Sequence, residues 1–242
     1  MEYNKTEQRF SGVLSDEYRL IFDTHPHLPS LQSKLGLAVA EHVDQLSNKR
    51  VEVLEIGCGD GYTAEILLDA HPAISLIALD SEPKMIASAN ANLSRHVATG
   101  RCNIVEQNAL SYLRTCNSDS LPVVASAMTL HNIHVDERNA ILAEIFRVLT
   151  PGGLFVNADK HVPEPTEQFV HLRKRITSYF DYFLPLQKPE LLQEWVLHEI
   201  DDASPERIMR EAETKSTLNF LGFKKITFSA HNELESLLTA HK

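Results

Sequence analysis

Between Val51 and Lys160 the chain alternates short apolar runs with longer amphipathic stretches. This alternation is typical of βαβ units, in which helices join parallel strands. The apolar runs predict five strands, at Val51–Ile56, Ser75–Leu79, Asn103–Glu106, Val123–Ala127 and Leu154–Ala158. The stretches between them place apolar residues at helical spacing, most clearly at Tyr62–Ala70, Lys84–Leu93 and Asp136–Leu149. We therefore expect an α/β fold with a mostly parallel sheet.

The segments on either side of this region follow other patterns. From Lys160 to about Asp202 the alternation stops and aromatic residues occur together with prolines, which predicts helices lying over the sheet edge. The first fifty residues are also predicted to be helical cover, with breaks at Pro26 and Pro29.

The C-terminal end predicts one helix and two strands. Ser204 followed by Pro205 is typical of a helix start, so we expect a helix from Pro205 to Phe220 that stops at Gly222. Two short apolar runs joined by a polar turn then predict a hairpin, with strands at Lys224–Ala230 and Leu234–Ala240.

Composition narrows the class of protein. The chain has 242 residues and a net charge of −10, from 23 basic and 33 acidic residues. That charge disfavours bulk nucleic acid and anionic membranes as partners, and the basic run Arg173–Arg175 is predicted to be a solvated helix face. The first ten residues, MEYNKTEQRF, lack the basic-then-apolar order typical of a signal peptide, and no apolar run approaches the roughly 20 residues that span a bilayer. The three cysteines fit no metal motif, which favours a cytoplasmic protein with reduced thiols.

A glycine-rich turn follows the first predicted strand. In VLEIGCGDG the strand runs directly into Gly57, Gly59 and Gly61. Glycines permit a sharp turn and let a ligand approach the backbone, and ligands of parallel sheets bind at the carboxyl ends of strands. A dinucleotide-binding GxGxxG turn would place its last glycine where this chain has Tyr62.

Polar side chains mark the ends of the first three strands. Glu55 lies near the end of the first strand, Asp80 ends the second and Asn108 follows the third. A carboxylate at the position of Asp80 can accept hydrogen bonds from both hydroxyls of a ribose. An amide at the position of Asn108 can meet the edge of an adenine.

Together these segments resemble the class I S-adenosylmethionine-dependent methyltransferases. The resemblance lies in VLEIGCGDGYT, LDSEPKMI, NIVEQNAL, ASAMTLHNI and RVLTPGGLFV, and covers roughly residues 51–159. It implies a Rossmann-like, doubly wound sheet of seven strands whose last strand is antiparallel, with helical N-terminal and post-strand-five caps. The whole chain, 1–242, is then one methyltransferase domain. Its parts are an N-terminal cover (1–50), a cofactor-binding core (51–160), a helical cap (161–203) and a C-terminal helix with a β-hairpin (204–242).

The resemblance also implies where S-adenosyl-L-methionine would bind. Glu55, Gly57 and Gly59 are expected at its methionine part, and Asp80 is expected at its ribose. The residues expected beside its adenine are Ser81, Met85, Asn108, Ala109 and Leu110, and those expected along its sulfonium are Ala127 and Met128. The family usually has Asp where this chain has Asn108.

The catalytic residues are not fixed by the sequence. Transfer from a sulfonium needs alignment, and it needs a base only where the nucleophile must lose a proton. His131, His161 and His198 are the candidates, and no metal site is expected. Trp195 and the aromatic residues before it either line a pocket or pack against the sheet.

A small molecule is the expected substrate, and three other functions remain open. The chain could be similar to a carboxy-S-adenosylmethionine synthase of tRNA modification, to an NAD-dependent oxidoreductase, or to a non-catalytic S-adenosylmethionine-binding regulatory protein. The oligomeric state is not fixed, and a homodimer is left open.

Overall fold

The computed structural model describes residue 9 and residues 12–46 and 49–242. Its strands are β1 (Val51–Ile56), β2 (Ile74–Asp80), β3 (Cys102–Glu106), β4 (Leu121–Ala127), β5 (Leu149–Lys160), β6 (Lys224–Asn232) and β7 (Glu235–His241). They form one seven-stranded sheet in the order β3-β2-β1-β4-β5-β7-β6. The first five strands are parallel, and β7 runs antiparallel between β5 and β6. The predicted fold class is confirmed.

Strand β1 lies where the direction of winding reverses. The chain proceeds from β1 through β2 to β3 on one side, and then crosses to β4 on the other side of β1. Crevices at the carboxyl ends of strands open at such a reversal, so the end of β1 at Ile56 is where this fold offers a ligand site.

The described helices flank the sheet and cap one edge. They are α1 (Val13–Asp16), α2 (Ile21–Thr24), α3 (Leu28–Leu46), α4 (Tyr62–Ala70), α5 (Pro83–Asn92), α6 (Ser94–Ala98), α7 (Ala109–Thr115), α8 (Val135–Val148), α9 (Pro165–Phe183), α10 (Pro189–Asp202) and α11 (Glu211–Leu221). None of them is long and apolar enough to cross a membrane.

Apolar side chains form three clusters that hold these layers together. One cluster packs α3, α4 and α5 against one face of the sheet, with Leu35 and Leu67 fully buried. Another packs α7, α8 and α11 against the other face, with Ile141 and Leu218 fully buried. The third joins α1 and α2 to α9 and α10 around Trp195. The N-terminal helices and the cap helices therefore form one roof over the sheet.

Two local predictions were wrong. No helix begins at Pro205: α11 begins at Glu211, because Met209 accepts a hydrogen bond from the backbone of Val162 at 2.8 Å and Arg210 pairs with Val162 as an isolated bridge. That pairing holds the residues before α11 extended. Pro29 does not break the N-terminal cover either. It lies in the first turn of α3, where a missing N–H costs no helical hydrogen bond.

Candidate functional site

The loop from Gly57 to Gly61 folds over the ends of β1 and β2. The backbone nitrogens of Gly57 and Cys58 donate to Leu79 O at 2.8 and 2.9 Å. Gly57 and Gly59 have φ values of 72° and 54°, in the left-handed region that favours glycine. A Cβ added to Gly59 would meet no atom within 4 Å, so the backbone faces open space there.

Asp80 fixes this loop from the end of β2. Its Oδ2 accepts from Gly59 N at 2.8 Å and its Oδ1 accepts from Glu82 N at 2.9 Å. Burial raises the pKa of Asp80, although the backbone N–H groups of Glu82, Gly59 and Ser81 act in the opposite direction. Each carboxylate oxygen keeps a lone pair beyond these bonds.

A cleft opens beside the loop and runs along the carboxyl ends of the strands. Most of the predicted ligand residues line it: Gly57, Gly59, Asp80, Ser81, Met85, Asn108, Ala109, Ala127 and Met128. Sequence reasoning missed several other lining residues, which the structure brings in from distant segments: Arg9, Tyr18, Phe22, Tyr62, Thr129, Asn132 and Glu137. Tyr62, Thr129 and Asn132 lie inside the quoted motif segments, which could have identified them, whereas Arg9, Tyr18, Phe22 and Glu137 lie outside those segments and are brought to the cleft by packing.

Two predicted ligand residues lie outside this lining. Leu110 packs into the apolar cluster between sheet and helices. Glu55 is fully buried in β1, and neither of its carboxylate oxygens has a hydrogen-bond partner among the described residues. Burial, with smaller contributions from Asp80 and Asp60, raises the pKa of Glu55 to about 8. Neither position is thus part of the cleft wall.

Asn108 lies in the cleft wall, but its amide is already used. Its Oδ1 caps α7 by accepting from Ser111 N at 3.0 Å, and its Nδ2 donates to Glu137 Oε1 at 3.2 Å. The side chain therefore shapes the end of the cleft by holding α7 and α8 together. The predicted contact between this amide and an adenine would require one of these bonds to change.

A second cavity, here called the inner chamber, adjoins the cleft beneath the roof. It is lined by Tyr18, Ile21, His25, Leu28, Met128, His131, Lys160, Arg175, Tyr179, Trp195, His198, Glu199 and Glu235. Tyr18 and Met128 line both cavities and so mark their junction. Met128 has a φ of 49°, a strained value for a side chain of its size, and Met128 N donates to Ala158 O at 2.8 Å.

Buried ion pairs form one wall of the inner chamber. Lys160 Nζ donates to Glu199 Oε1 at 2.9 Å and to Asp202 Oδ2 at 2.7 Å. Arg175 pairs with Glu235 at 2.7 Å, so the prediction that Arg175 belongs to a solvated helix face was wrong. Burial opposes ionisation of Glu199, but Lys160 and Arg175 lower its pKa to about 2.

The structure separates the three candidate histidines. His131 and His198 line the inner chamber, with ring centres 6.4 Å apart. His161 lies elsewhere: its Nδ1 is 2.9 Å from Ser236 Oγ, its ring packs on Phe228, and it lines neither cavity. Burial is the main cause that lowers the pKa of His161 to about 4 and that of His198 to about 3.

The imidazole of His131 is held by a hydrogen bond to the carboxylate of Asp159. Its Nδ1 lies 2.5 Å from Asp159 Oδ1, at the end of β5. Asp159 also accepts from the backbone of Leu130 at 2.9 Å. Burial opposes ionisation of Asp159, but His131 lowers its pKa. This pair fixes the ring of His131, whose Nε2 is directed toward Asp202 at 3.5 Å.

Comparisons with known proteins agree with this geometry. Residues 53–153 match the family described as "Methyltransferase domain". The chain is 23% identical over 199 residues to a carboxy-S-adenosyl-L-methionine synthase of Klebsiella pneumoniae, covering 79% of this chain and 76% of that protein. It is 30% identical over 81 residues to a malonyl-[acyl-carrier protein] O-methyltransferase of Acetivibrio thermocellus, covering 34% of this chain and 29% of that protein.

A solved structure shares the fold over nearly the whole chain. An O-methyltransferase family protein from Burkholderia thailandensis superposes with a TM-score of 0.64 at 14% identity, covering 94% of this chain and 59% of that one. The chain thus spans less than two thirds of that protein. Residues 53–153 thus match a methyltransferase domain, and this match, the glycine loop and the strand order support a class I methyltransferase whose cofactor is S-adenosylmethionine.

Proposed function

We propose that this protein binds S-adenosylmethionine in the cleft and transfers its methyl group to a small molecule held in the inner chamber. One observation carries the proposal. The cleft is lined by a glycine loop and the half-buried carboxylate of Asp80, and it adjoins a roofed chamber, with Tyr18 and Met128 in both walls. This arrangement provides adjoining places for a nucleoside-bearing donor and a small acceptor.

The cleft residues fit such a donor. The free lone pairs of Asp80 can accept from two ribose hydroxyls, while its bonds to Gly59 N and Glu82 N hold it in place. The open space beside Gly59 allows a ligand to approach the backbone closely. When bound, S-adenosylmethionine supplies a methyl group on a sulfonium, which departs as a neutral thioether.

The inner chamber supports a small acceptor. Tyr18, Tyr179 and Trp195 give it aromatic walls beneath the roof, which would exclude water from an acceptor. Among the described lining residues of the two cavities, every Lys and Arg has an acidic partner. An acceptor that carries no extra negative charge therefore suits the chamber best, and His131 and His198 are the side chains placed to contact it.

Methyl-labelled S-adenosylmethionine and a size-fractionated metabolite extract would test the proposal. We expect label in compounds of small-molecule size, and none in RNA or protein fractions. S-adenosylhomocysteine should bind in calorimetry, whereas NAD should not. Binding of NAD alone would contradict the proposal, and binding of S-adenosylhomocysteine without any transfer would favour a regulatory protein.

A second candidate function has one observation in its favour. The similarity to the carboxy-S-adenosyl-L-methionine synthase of Klebsiella pneumoniae covers 79% of this chain, far more than the similarity to the O-methyltransferase of Acetivibrio thermocellus. Binding an additional carboxylate requires a basic group, and Lys160 and Arg175 are already paired with Glu199 and Glu235. Mass spectrometry of nucleosides that copurify with the protein separates the two functions, since a carboxylated cofactor differs in mass from S-adenosylmethionine.

We also propose a cytoplasmic location. All three cysteines are unpaired, and Cys58 and Cys102 are buried. Free thiols are the usual state in a reducing compartment. Fractionation of cells that produce the full chain would test the proposal, and recovery from an extracytoplasmic fraction would contradict it.

A further inference from the structure

Three side chains converge at the side of the inner chamber that faces α10. His131 Nε2 and His198 Nε2 each lie 3.5 Å from Asp202 Oδ2, and the three atoms lie within 4.8 Å of one another. All three residues are buried. His198 and Asp202 are one helical turn apart on α10, whereas His131 comes from the turn after β4. The cluster thus joins the roof to the sheet.

Asp159 sets the orientation of the first ligand atom. A carboxylate only accepts, so the bond at 2.5 Å requires the proton of His131 to be on Nδ1. In the neutral ring, Nε2 then directs a lone pair toward Asp202 Oδ2. A histidine whose other nitrogen donates to a carboxylate is the usual arrangement behind a metal-binding imidazole.

We propose that His131, His198 and Asp202 form a site for one divalent transition-metal ion. Two imidazoles and one carboxylate suit zinc, iron or cobalt better than magnesium, which prefers oxygen ligands. No metal site was expected from the sequence, because His198 and Asp202 share one turn of α10 but the third ligand, His131, comes from a distant segment. The site is distinct from the glycine loop and Asp80.

The cation already paired with Asp202 can give up its place to a metal. Lys160 donates to the same Asp202 oxygen that would bind the metal, at 2.7 Å. It also donates to Glu199 Oε1 at 2.9 Å, so it keeps a charged partner when the metal replaces it at Asp202.

The site also specifies the acceptor, a step that rests on the proposed function. Three protein ligands leave coordination positions open, and the two histidines line the chamber beside Met128. The donor atom of a hydroxyl, thiol or amine would bind there.

Cobalt titration of the full, chelator-treated chain tests the site directly. We expect one equivalent of Co²⁺ with visible absorption bands, competition by Zn²⁺ and no competition by equimolar Mg²⁺. His131→Asn and His198→Gln should each weaken Co²⁺ binding on the order of 100-fold or more. His231→Gln, which removes an exposed histidine, is the matched control and should bind as the unmodified chain does.

X-ray absorption of the Co²⁺-loaded, unmodified chain should show two imidazole ligands, and this readout depends on no variant. Absence of stoichiometric binding, a spectrum without imidazoles, or equal affinity in His131→Asn and His198→Gln would overturn the site. Calorimetry with S-adenosylhomocysteine separates the two proposals. If S-adenosylhomocysteine binds but Co²⁺ does not, only the metal site is refuted. If Co²⁺ binds but S-adenosylhomocysteine does not, only the proposed function is refuted.

Discussion

At the scale of single residues, Asp80 is the side chain on which cofactor affinity should depend most. We expect Asp80→Ala to weaken S-adenosylhomocysteine binding by about 1–3 kcal/mol, the usual contribution of hydrogen bonds to a charged group. Calorimetry measures this change. Glu106→Ala is the control, because Glu106 lies beside Asp80 in register on β3 and is exposed. Equal dissociation constants for Asp80→Ala and the unmodified chain would remove Asp80 from the site.

Glu55 should make stability depend on pH. Its pKa of about 8 in the fold lies above the ordinary value of 4.5, so its contribution to stability is complete below pH 4.5 and is lost as the pH rises toward 8. Glu55→Gln has no group that ionises at this position. Its free energy of unfolding, relative to that of the unmodified chain, should therefore rise by about 1.4 kcal/mol per pH unit between pH 5 and 8. Denaturant unfolding at several pH values measures the difference. Glu52→Gln, exposed on the same strand, should show no such trend.

The sequence predicts residues whose role depends on local backbone geometry, and misses those whose role depends on packing. Gly57, Gly59 and Asp80 follow from one strand–loop–strand pattern and do line the cleft. Glu55 was expected to meet a ligand, but alternation along β1 turns it into the core. The partnership of His198 with His131 could not be read from the chain, because it depends on how α10 lies against the turn after β4.

At the scale of elements, the turn from β1 to α4 needs glycine for two separable reasons. A Cβ on Gly57 would lie 2.2 Å from the Thr129 side chain, in addition to the strain of a φ of 72°. Gly152 has a φ of 80° with nothing within 4 Å, so Gly152→Ala measures the strain alone, about 1–2 kcal/mol. We expect Gly57→Ala to lose more stability and to bind S-adenosylhomocysteine weakly. If Gly57→Ala and Gly152→Ala lose the same unfolding free energy and Gly57→Ala binds S-adenosylhomocysteine normally, the Thr129 side chain moves aside without a loss of stability.

The positions of helices and strands were predictable where a single periodicity of apolar residues dominates a segment. The five parallel strands were located from their apolar runs, because helices cover both faces of the central strands β1, β2, β4 and β5, while the edge strand β3 keeps a shorter run. The start of α11 was not, since Ser204 and Pro205 are typical of a helix start and only the pairing of Val162 with Arg210 keeps the chain extended there. Long-range pairing of this kind leaves no local pattern.

At the scale of the whole molecule, the N-terminal cover and the cap helices close the two cavities together. Tyr18 packs 6.4 Å from Trp195, and Phe22 packs 5.2 Å from Tyr62, which begins the helix after the glycine loop. The cover therefore contacts the cofactor cleft and the inner chamber at once. A cofactor that fills the cleft should order the cover, and an acceptor would then meet a chamber already formed.

Arg19 gives a way to test this coupling. It lies on the cover and pairs with Asp60 of the glycine loop at 2.5 Å, with 59% of its side chain exposed. Arg19→Ala should loosen the cover and speed release of S-adenosylhomocysteine by up to about fivefold, because exposed ion pairs contribute roughly 0.2–1 kcal/mol. Arg95→Ala is the matched control: Arg95 is 61% exposed and pairs with Asp69 at 3.0 Å, and neither residue lines the cleft. Stopped-flow release and amide exchange over residues 18–28 measure both effects. If ligand protects the β6–β7 hairpin as much as the cover, or if both variants release it at the same rate, the cover does not close over the cofactor.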